Sequence, residues 1–252
     1  MKILVSDIDS SMFTLENKKF KDSIKKFTSH GNLFIIATSK AINYVADYLA
    51  LTDINVEYYI CNDGAVIFDR YFNVIYRKDL KSDVVHPIMN ILDSDDNILE
   101  SFIDTSHGFA HDTTKCANGI VARPYDTVKA EMLLNTICLK YPSIHGHISD
   151  NWLNIVDIDV NKAMALNYIK ENYRLDKADV YVLGKNIEDL ELMEYFNGYT
   201  MEGCCEDLKK YSKGEVNNLT ELIDILLKEE EDEEFDTIYA VSYTHLTLPT
   251  IA

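Results

Sequence analysis

The first candidate chemical site is a pair of acids, Asp7 and Asp9, directly after the apolar run Ile3–Val5. Such a run is typical of a buried strand, and strand alternation would place both acids on the same side. Ligands of open α/β sheets bind outside the carboxyl ends of the strands. Two carboxylates there would suit a magnesium ion, or a nucleophile with an acid–base partner. The alternative is an ordinary turn, in which Asp and Ser are common.

Hydroxyls, a lysine and further acids follow other predicted elements. Thr38 and Ser39 come directly after the apolar run Leu33–Ala37, and Lys162 begins a predicted helix. The segment Gly184–Asp189 forms a predicted turn after a later strand. Each also has a plain structural interpretation, because Thr is a good helix N-cap and a lone lysine in a first helical turn usually faces solvent.

The order of the elements predicts an α/β fold with an insertion. Strands and helices alternate up to the turn at residues 62–64, which is typical of a parallel sheet with right-handed crossovers. Between residues 81 and 154 the pattern changes to an α+β mixture, and the parallel pattern then resumes. We therefore expect a Rossmann-like core of residues 1–80 and 155–228 with an inserted α+β domain of residues 81–154.

Hydrophobic periodicity defines the individual elements. The expected strands cover residues 33–37, 56–61, 65–69, 72–77, 101–105, 119–123, 144–149, 152–156, 179–183 and 199–201. The expected helices lie near residues 20–27, 42–49, 84–92, 127–140, 161–173, 187–196, 206–211 and 219–228.

The histidines give weaker signals. His145 and His147 alternate along a predicted strand and could ligate a metal, but no third ligand follows at a suitable spacing. A polar surface of the inserted domain is therefore the favoured interpretation. His107 and His111 are expected in a loop.

Composition limits the partners and the compartment. The chain of 252 residues has a formal net charge of −18, which argues against a general binder of nucleic acid or anionic membranes. No apolar run reaches the length of a membrane span, and the start leads straight into a strand without a signal peptide. Five cysteines without C-x-x-C spacing favour a reducing, cytoplasmic compartment.

The last part of the chain, residues 229–252, is expected to lie outside the fold. Residues 229–236 are almost all acidic and predict a frayed, solvated helix end. Residues 241–250 resemble a translated vector or adapter sequence.

Taken together, the motifs resemble the haloacid dehalogenase-like (HAD) superfamily of phosphohydrolases, in particular its Cof-type branch with a type IIB cap. The resemblance covers residues 1–228 and implies that the inserted domain is a cap over the site. The matching segments are Asp7-Ile8-Asp9, Thr38, Asn62-Asp63-Gly64-Ala65, Val160-Asn161-Lys162-Ala163, Gly184–Asp189 and Gly198-Tyr199-Thr200-Met201.

The resemblance implies a role for each candidate residue. Asp7 would be the nucleophile that forms an aspartyl-phosphate, Asp9 the acid–base group, and Lys162 the cation between Asp7 and the phosphate. The remaining implied contacts are to phosphate from Thr38, Ser11 and Ser39, to substrate from Asp63 and Gly64, and to Mg²⁺ from Asp7, Asp9, Asp189 and Glu188.

Three departures from the family pattern affect these roles. The usual Asp-x-Asp-Gly-Thr continues here with Ser10-Ser11, and the usual Thr-Gly-Arg is Thr38-Ser39-Lys40. Lys185 stands where a magnesium-binding aspartate is expected, and an ammonium cannot coordinate a cation. Glu188 could supply a replacement carboxylate. Two outcomes stay open: Glu188 and Asp189 hold magnesium, or Lys185 itself neutralises the acids in a metal-free pocket.

These observations lead to three functional hypotheses. The first is a phosphatase that hydrolyses a small phosphorylated metabolite through an aspartyl-phosphate on Asp7, impaired by Lys185 at the metal site. The alternative is a catalytically inactive HAD-fold binding or regulatory protein. A weaker alternative is a phosphomutase, which shares the aspartyl-phosphate but passes the phosphoryl group to a sugar hydroxyl.

Overall fold

The computed structural model describes residues 1–8, 18–50, 54–149, 151–175 and 178–230, so Asp9, Ser10 and Ser11 lie outside the described residues. Strands β1 to β13 are, in chain order, Lys2–Ser6, Leu33–Ala37, Tyr58–Cys61, Val66–Asp69, Val74–Arg77, Ile98–Thr105, Gly108–Ala110, Gly119–Pro124, Ile144–Ser149, Trp152–Asp157, Asp179–Gly184, Asn197–Met201 and Ser212–Val216. Helices α1 to α8 are Lys18–Ser29, Ile42–Leu49, Ser82–Asp93, Thr127–Lys140, Lys162–Asn172, Leu190–Tyr195, Glu206–Lys209 and residues 219–230. Two 3₁₀ turns cover Asn62–Gly64 and Ile187–Asp189.

The larger sheet has eight strands in the order β13-β12-β11-β1-β2-β3-β4-β5. The six strands from β13 to β3 pair in parallel, and β4 and β5 add an antiparallel hairpin at one edge. Strand β1 lies between β2 and β11, so the residues after these three strands leave the same edge of the sheet. This topology places the ends of β1, β2 and β11 side by side.

Both faces of the larger sheet are covered, as the continuous apolar sequence of its central strands predicts. Leu4 of β1 packs on one face with residues of α1 and α8, among them Phe27 and Leu226. Ile3 and Val5 point to the other face and pack with α5 and α6. The core therefore fixes β1 from both sides, and with it the direction in which Asp7 leaves the sheet.

The smaller sheet is antiparallel, with the order β7-β6-β8-β10-β9. Alternate residues such as Ile103, Ile120 and Leu153 pack against α3 and α4. The residues in between project from the opposite face, and the register aligns His147 of β9 with Asn154 of β10. One face of this sheet is thus a closed apolar core, and the other carries polar and aromatic side chains.

The predicted fold class, a parallel α/β core with a second α+β unit, is confirmed. The predicted domain boundary at residue 154 falls inside β10, which belongs to the smaller sheet as far as Asp157. The helix predicted for residues 187–196 is a 3₁₀ turn followed by the short helix α6. Strands β7 and β13 were not expected, because both are short and contain glycine. No helix among the described residues is long and apolar enough to span a membrane.

The last helix departs from the prediction of a solvated acidic end. It continues through residue 230 in the described part of the chain. Lys2 Nζ lies 3.4 Å from a Glu229 carboxylate oxygen, and Asn32 Nδ2 donates to Glu230 at 2.9 Å. The first two acids of the acidic run therefore join α8 to the start of β1 and the turn before β2.

Candidate active site

The centre of the site is the buried side chain of Lys162, the first residue of α5. Its Nζ donates to Asp7 Oδ2 at 2.7 Å and to Asp189 Oδ1 at 3.0 Å. Only 2% of Lys162 is exposed, which excludes the solvent-facing interpretation. A buried charge is tolerated when it is paired, so the two carboxylates account for its position. The structure thus joins the end of β1, the start of α5 and the turn after β11 at one point.

The pKa values follow from this arrangement. Burial disfavours the charged form of Lys162, but the carboxylates of Asp189 and Asp7 outweigh that effect and hold its pKa well above the ordinary value. Burial also raises the pKa of Asp189; the nearby Lys162 ammonium opposes this shift, while Asp7 and Glu188 add to it. The site therefore holds one firmly protonated ammonium among several acids.

The turn Asn62–Gly64 fixes the start of α5. Gly64 has φ +104°, and a Cβ on it would lie 2.3 Å from the backbone oxygen of Asn161. Only glycine permits so close an approach, and Asn161 in turn caps α5 by accepting from Met164 N at 2.7 Å. Gly64, predicted as a substrate contact, therefore lies against the backbone that precedes Lys162.

Asp189 is held by the backbone before it. Its Oδ2 accepts from Lys185 N at 3.0 Å and from Asn186 N at 3.3 Å, while Oδ1 binds Lys162. Both oxygens are thus used, and these bonds tighten the 3₁₀ turn. The main chain of Lys185, the residue that departs from the family pattern, helps to orient Asp189.

Thr38 and Ser39 follow β2 and are buried. Thr38 Oγ1 accepts from Lys40 N at 3.3 Å, and Thr38 O accepts from Asp63 N at 3.2 Å. The N-cap residue of α2 is Ala41, so Thr38 orders the turn before the helix and does not cap the helix itself. The predicted phosphate contacts Thr38 and Ser39 thus leave the same sheet edge as Asp7.

A cavity of about 140 Å³ lies beside Lys162, between the two sheets. Ser149 Oγ of β9 donates to Glu188 Oε1 at 2.9 Å, and His147 Nε2 lies 3.9 Å from Asp63 Oδ1. The atoms Asp63 Oδ1, His147 Nε2 and Glu188 Oε2 are buried without hydrogen-bond partners. The cavity is lined by Asp63, His145, His147, Asn161, Lys162, Ile187, Glu188, Leu190 and Glu191. Unpartnered polar atoms around a cavity are typical of a site that receives a polar ligand or water.

Sequence reasoning placed His145 and His147 on a polar surface and gave them no part in the site. The structure places both His145 and His147 in the lining of the Lys162 cavity, and His145 Nε2 also donates to Val160 O at 2.6 Å. The available signal was their two-residue spacing, which puts both on one face of a strand. The spacing alone does not predict that this face of the strand lies against the core near Lys162.

The described side chains do not form a magnesium site by themselves. Within the described ranges, no three His, Cys, Asp or Glu residues form a group that could hold a metal ion. Asp189 uses both oxygens as above, and Glu188 offers one unpartnered oxygen. The fourth predicted ligand, Asp9, lies outside the described residues, as does the predicted phosphate contact Ser11.

Comparisons with known proteins address the family directly. A family profile of haloacid dehalogenase-like hydrolases matches residues 4–129 and 110–221. An uncharacterized protein of Mycoplasma capricolum is 23% identical over 268 residues, covering 88% of this chain and 98% of that protein. The fold is similar to a haloacid dehalogenase-like hydrolase from B. subtilis, with a TM-score of 0.77, 12% identity and coverage of 89% and 99% of the two chains. It is also similar to a HAD subclass IIB sugar phosphatase, with a TM-score of 0.74, 14% identity and coverage of 90% and 99%.

The solved structures, at these identities, establish a shared fold, and the profile supplies the family. Its two matches extend over most of the chain, from the strand before Asp7 to the residues after β13. The resemblance found in the short motifs is thereby confirmed. The chain belongs to the haloacid dehalogenase-like hydrolases.

Proposed function

We propose that the protein is a phosphatase that hydrolyses a small phosphorylated metabolite with Asp7 as the nucleophile. The observation that carries this proposal is the buried Lys162 ammonium between Asp7 and Asp189, at 2.7 and 3.0 Å. A phosphoryl group approaching Asp7 would meet a fixed positive charge beside the attacking oxygen. Positioning and charge stabilisation of this kind are what phosphoryl transfer requires of a protein.

The proposed reaction has two steps. An Asp7 oxygen attacks phosphorus, forming an acyl phosphate, while the bond from phosphorus to the ester oxygen breaks. The leaving oxygen takes a proton, for which the family resemblance suggests Asp9. Water then attacks phosphorus and gives a proton back to the group that protonated the leaving oxygen, for which the resemblance again suggests Asp9. The bond from phosphorus to the Asp7 oxygen breaks, phosphate leaves, and the Asp7 carboxylate is restored.

The other predicted contact residues have different proposed roles: some bind phosphate, one binds substrate and one supports the site sterically. Thr38 and Ser39 end the neighbouring strand β2 and, with Ser11, are proposed to bind phosphate oxygens. Asp63 lines the cavity beside Lys162 with one unpartnered oxygen, so it is proposed to accept a hydrogen bond from substrate. Gly64 instead supports the site sterically, because it packs on the backbone of Asn161.

Residues 81–157 are proposed to act as the cap. The smaller sheet presents His147 and Ser149 to the cavity beside Lys162, and Ser149 binds Glu188 of the core. A cap in this position would exclude bulk water from the site while the substrate is bound, and it would select the substrate.

We propose that the enzyme uses Mg²⁺, because haloacid dehalogenase-like hydrolases typically do. When bound, the ion would offset negative charge on the phosphate. The predicted ligands Asp7, Asp9, Asp189 and Glu188 are the carboxylates that would hold it, and Lys185 would weaken binding by its charge. Binding of Mg²⁺ can be tested independently of catalysis by the increase in melting temperature that Mg²⁺ causes. The comparison is between this increase in the wild type and in Glu188→Gln.

The activity is tested by phosphate release from acetyl phosphate and p-nitrophenyl phosphate, with and without Mg²⁺. We expect release by the wild type and none by Asp7→Asn, because an amide is a far poorer nucleophile. Equal rates for the wild type and Asp7→Asn would contradict the proposal. The absence of phosphate release from acetyl phosphate, from p-nitrophenyl phosphate and from a wider panel of phosphorylated metabolites would also contradict it.

A further inference from the structure

A second cavity, of about 260 Å³, lies between the core and the smaller sheet on the side of α2. We call it the aromatic cavity. It is lined by Ser39, Lys40, Ala41, Asn43, Tyr44, Asp104, Gly108, Phe109, Val121, Trp152 and Asn154. Ser39 and Lys40 directly follow Thr38, so the cavity begins at the predicted phosphate-binding turn.

The register of the smaller sheet explains which residues face the cavity. Leu153 and Ile155 of β10 pack against the helices, so Trp152 and Asn154 project from the other face. Asn154 lies opposite Val121 of β8. The hairpin of β6 and β7 closes one side, because Gly108 with φ +117° approaches Asn43 of α2 so closely that a Cβ would lie 2.9 Å from Asn43 Nδ2.

Aromatic rings form much of the cap side of this cavity. The rings of Phe109 and Trp152 have centroids 5.7 Å apart, and Phe102 stacks on Phe109 at 5.5 Å. Tyr44 stands on the core side. Phe109 and Tyr44 remain about half exposed, at 51% and 48%. Exposed aromatic surface around a cavity is stabilised when a flat apolar surface covers it.

One oxygen of the buried Asp104 carboxyl lacks a partner in the cavity, although the carboxyl as a whole is hydrogen-bonded by the Asn62 side chain and the Thr105 backbone. Asp104 is only 3% exposed, and its Oδ1 is buried with no hydrogen bond. Burial raises the pKa of Asp104 to about 7, above its ordinary value. Leaving a buried acceptor unsatisfied is costly, and a ligand that donates a hydrogen bond would remove that cost.

We infer that the aromatic cavity binds the leaving group of the phosphate ester, and that this group is a planar nitrogen heterocycle that donates a hydrogen bond to Asp104. This inference rests on the proposed function. A heterocycle offers two apolar faces to Trp152, Phe109 and Tyr44, and its edge supplies a donor to the one unpartnered carboxylate oxygen. A sugar could also stack a C–H face on these rings, but the several hydroxyls along its edge would need several polar partners, and Asp104 Oδ1 is the one buried unpartnered acceptor among the described lining residues.

Binding to the Asp7→Asn protein separates this inference from catalysis. Trp152 is the sole tryptophan of the chain, so its fluorescence reports directly on the cavity. The probes are pyridoxine 5′-phosphate, which has no aldehyde to react with lysines, glucose 6-phosphate and inorganic phosphate. We expect saturable quenching by pyridoxine 5′-phosphate, with an affinity at least tenfold higher than that of either other probe in competition.

Variants of the cavity walls extend the test. In the Asp7→Asn background, Tyr44→Ala and Asp104→Leu should each weaken binding of pyridoxine 5′-phosphate by tenfold or more. Tyr125→Ala, which removes an 81% exposed tyrosine outside the cavity, is the matched control and should leave the affinity unchanged. Tyr44 is a surface residue of α2, so its variant keeps the test valid if Asp104→Leu does not fold.

The failures of the two proposals are distinguishable. Phosphate release from acetyl phosphate, whose leaving group is too small to fill the cavity, tests Asp7 chemistry alone. Suppose that the wild type releases phosphate from acetyl phosphate. The inference is then overturned if glucose 6-phosphate binds as tightly as the heterocycle, or if Tyr44→Ala leaves the affinity for the heterocycle unchanged. Selective heterocycle binding without any phosphate release would overturn the proposed function and leave the ligand class of the cavity standing.

Discussion

At the scale of single residues, Lys162 sets the charge balance of the site. Its ammonium is almost fully buried between Asp7 and Asp189, and Asp63 and Glu188 add further negative potential. Without this cation, the negative charges of the two buried carboxylates would repel each other with no nearby ammonium to offset them. The same contact therefore serves both the stability of the fold and the proposed chemistry.

Replacing Lys162 by Met should damage both properties. Breaking a buried ion pair on one side costs about 3–5 kcal/mol, so we expect the free energy of unfolding in urea to fall by that order. Phosphate release should be lost as well. Lys209→Met is the matched control, because Lys209 forms a solvent-exposed pair with Glu206 at 2.6 Å, and exposed pairs contribute little to stability. Similar losses from both substitutions would argue against a special role for Lys162.

Lys185 is the residue that we propose limits the efficiency of the site. The bond from its backbone N–H to Asp189 does not depend on the side chain, so Lys185→Asp should retain the turn while adding a carboxylate. We expect Mg²⁺-dependent phosphate release to rise about a hundredfold, which corresponds to roughly 3 kcal/mol. Lys185→Ala removes the positive charge without adding a carboxylate, so its phosphate release shows how much of the gain comes from losing the charge alone. Brisk Mg²⁺-dependent turnover by the wild type, with no gain in Lys185→Asp, would show that Lys185 does not impair the site.

At the scale of elements, the turn Asn62–Gly64 positions helix α5. Gly64→Ala would place a methyl group 2.3 Å from Asn161 O, and the start of α5 would have to move together with Lys162. We expect a loss of phosphate release and a drop in melting temperature. Gly31→Ala is the control, because Gly31 has φ +80° with nothing near its Cβ position and should cost only about 1–2 kcal/mol of stability. Full activity of Gly64→Ala would mean that the turn does not position Lys162.

The elements could be predicted from sequence where periodicity was strong. Strands β2 and β9 and helix α4 begin and end at the predicted residues, because a continuous apolar run, an alternating pattern and a 3.6-residue apolar pattern, respectively, define them. The polar strand Ser212–Val216 has no such pattern and depends on its pairing with β12. Contacts at the site were also beyond the sequence, since His147 and Asp63 are 84 positions apart and meet only through the packing of the two sheets.

At the scale of the whole molecule, hydrogen bonds join α8, the last described helix, to residues near the start of the chain. Asn32 is 2% exposed and donates to Glu230, while Lys2 Nζ donates to Leu226 O at 2.6 Å. A chain that ends at Lys228 should therefore unfold a few degrees below the full chain, because a lost hydrogen bond to a charged group is worth about 1.5–3 kcal/mol. A chain that ends at Glu230 should unfold at the same temperature as the full chain. Equal melting temperatures for both truncations would show that Glu229 and Glu230 contribute nothing.

The most direct measurement of the central claim is the covalent intermediate itself. Rapid acid quenching of the wild type with acetyl phosphate, followed by peptide mass spectrometry, should find the mass of one phosphoryl group on Asp7. The adduct should disappear on brief treatment at neutral pH with hydroxylamine, which cleaves acyl phosphates, and should be absent from Asp7→Asn. Phosphate release without any adduct on Asp7, or an adduct that persists in Asp7→Asn, would contradict the account.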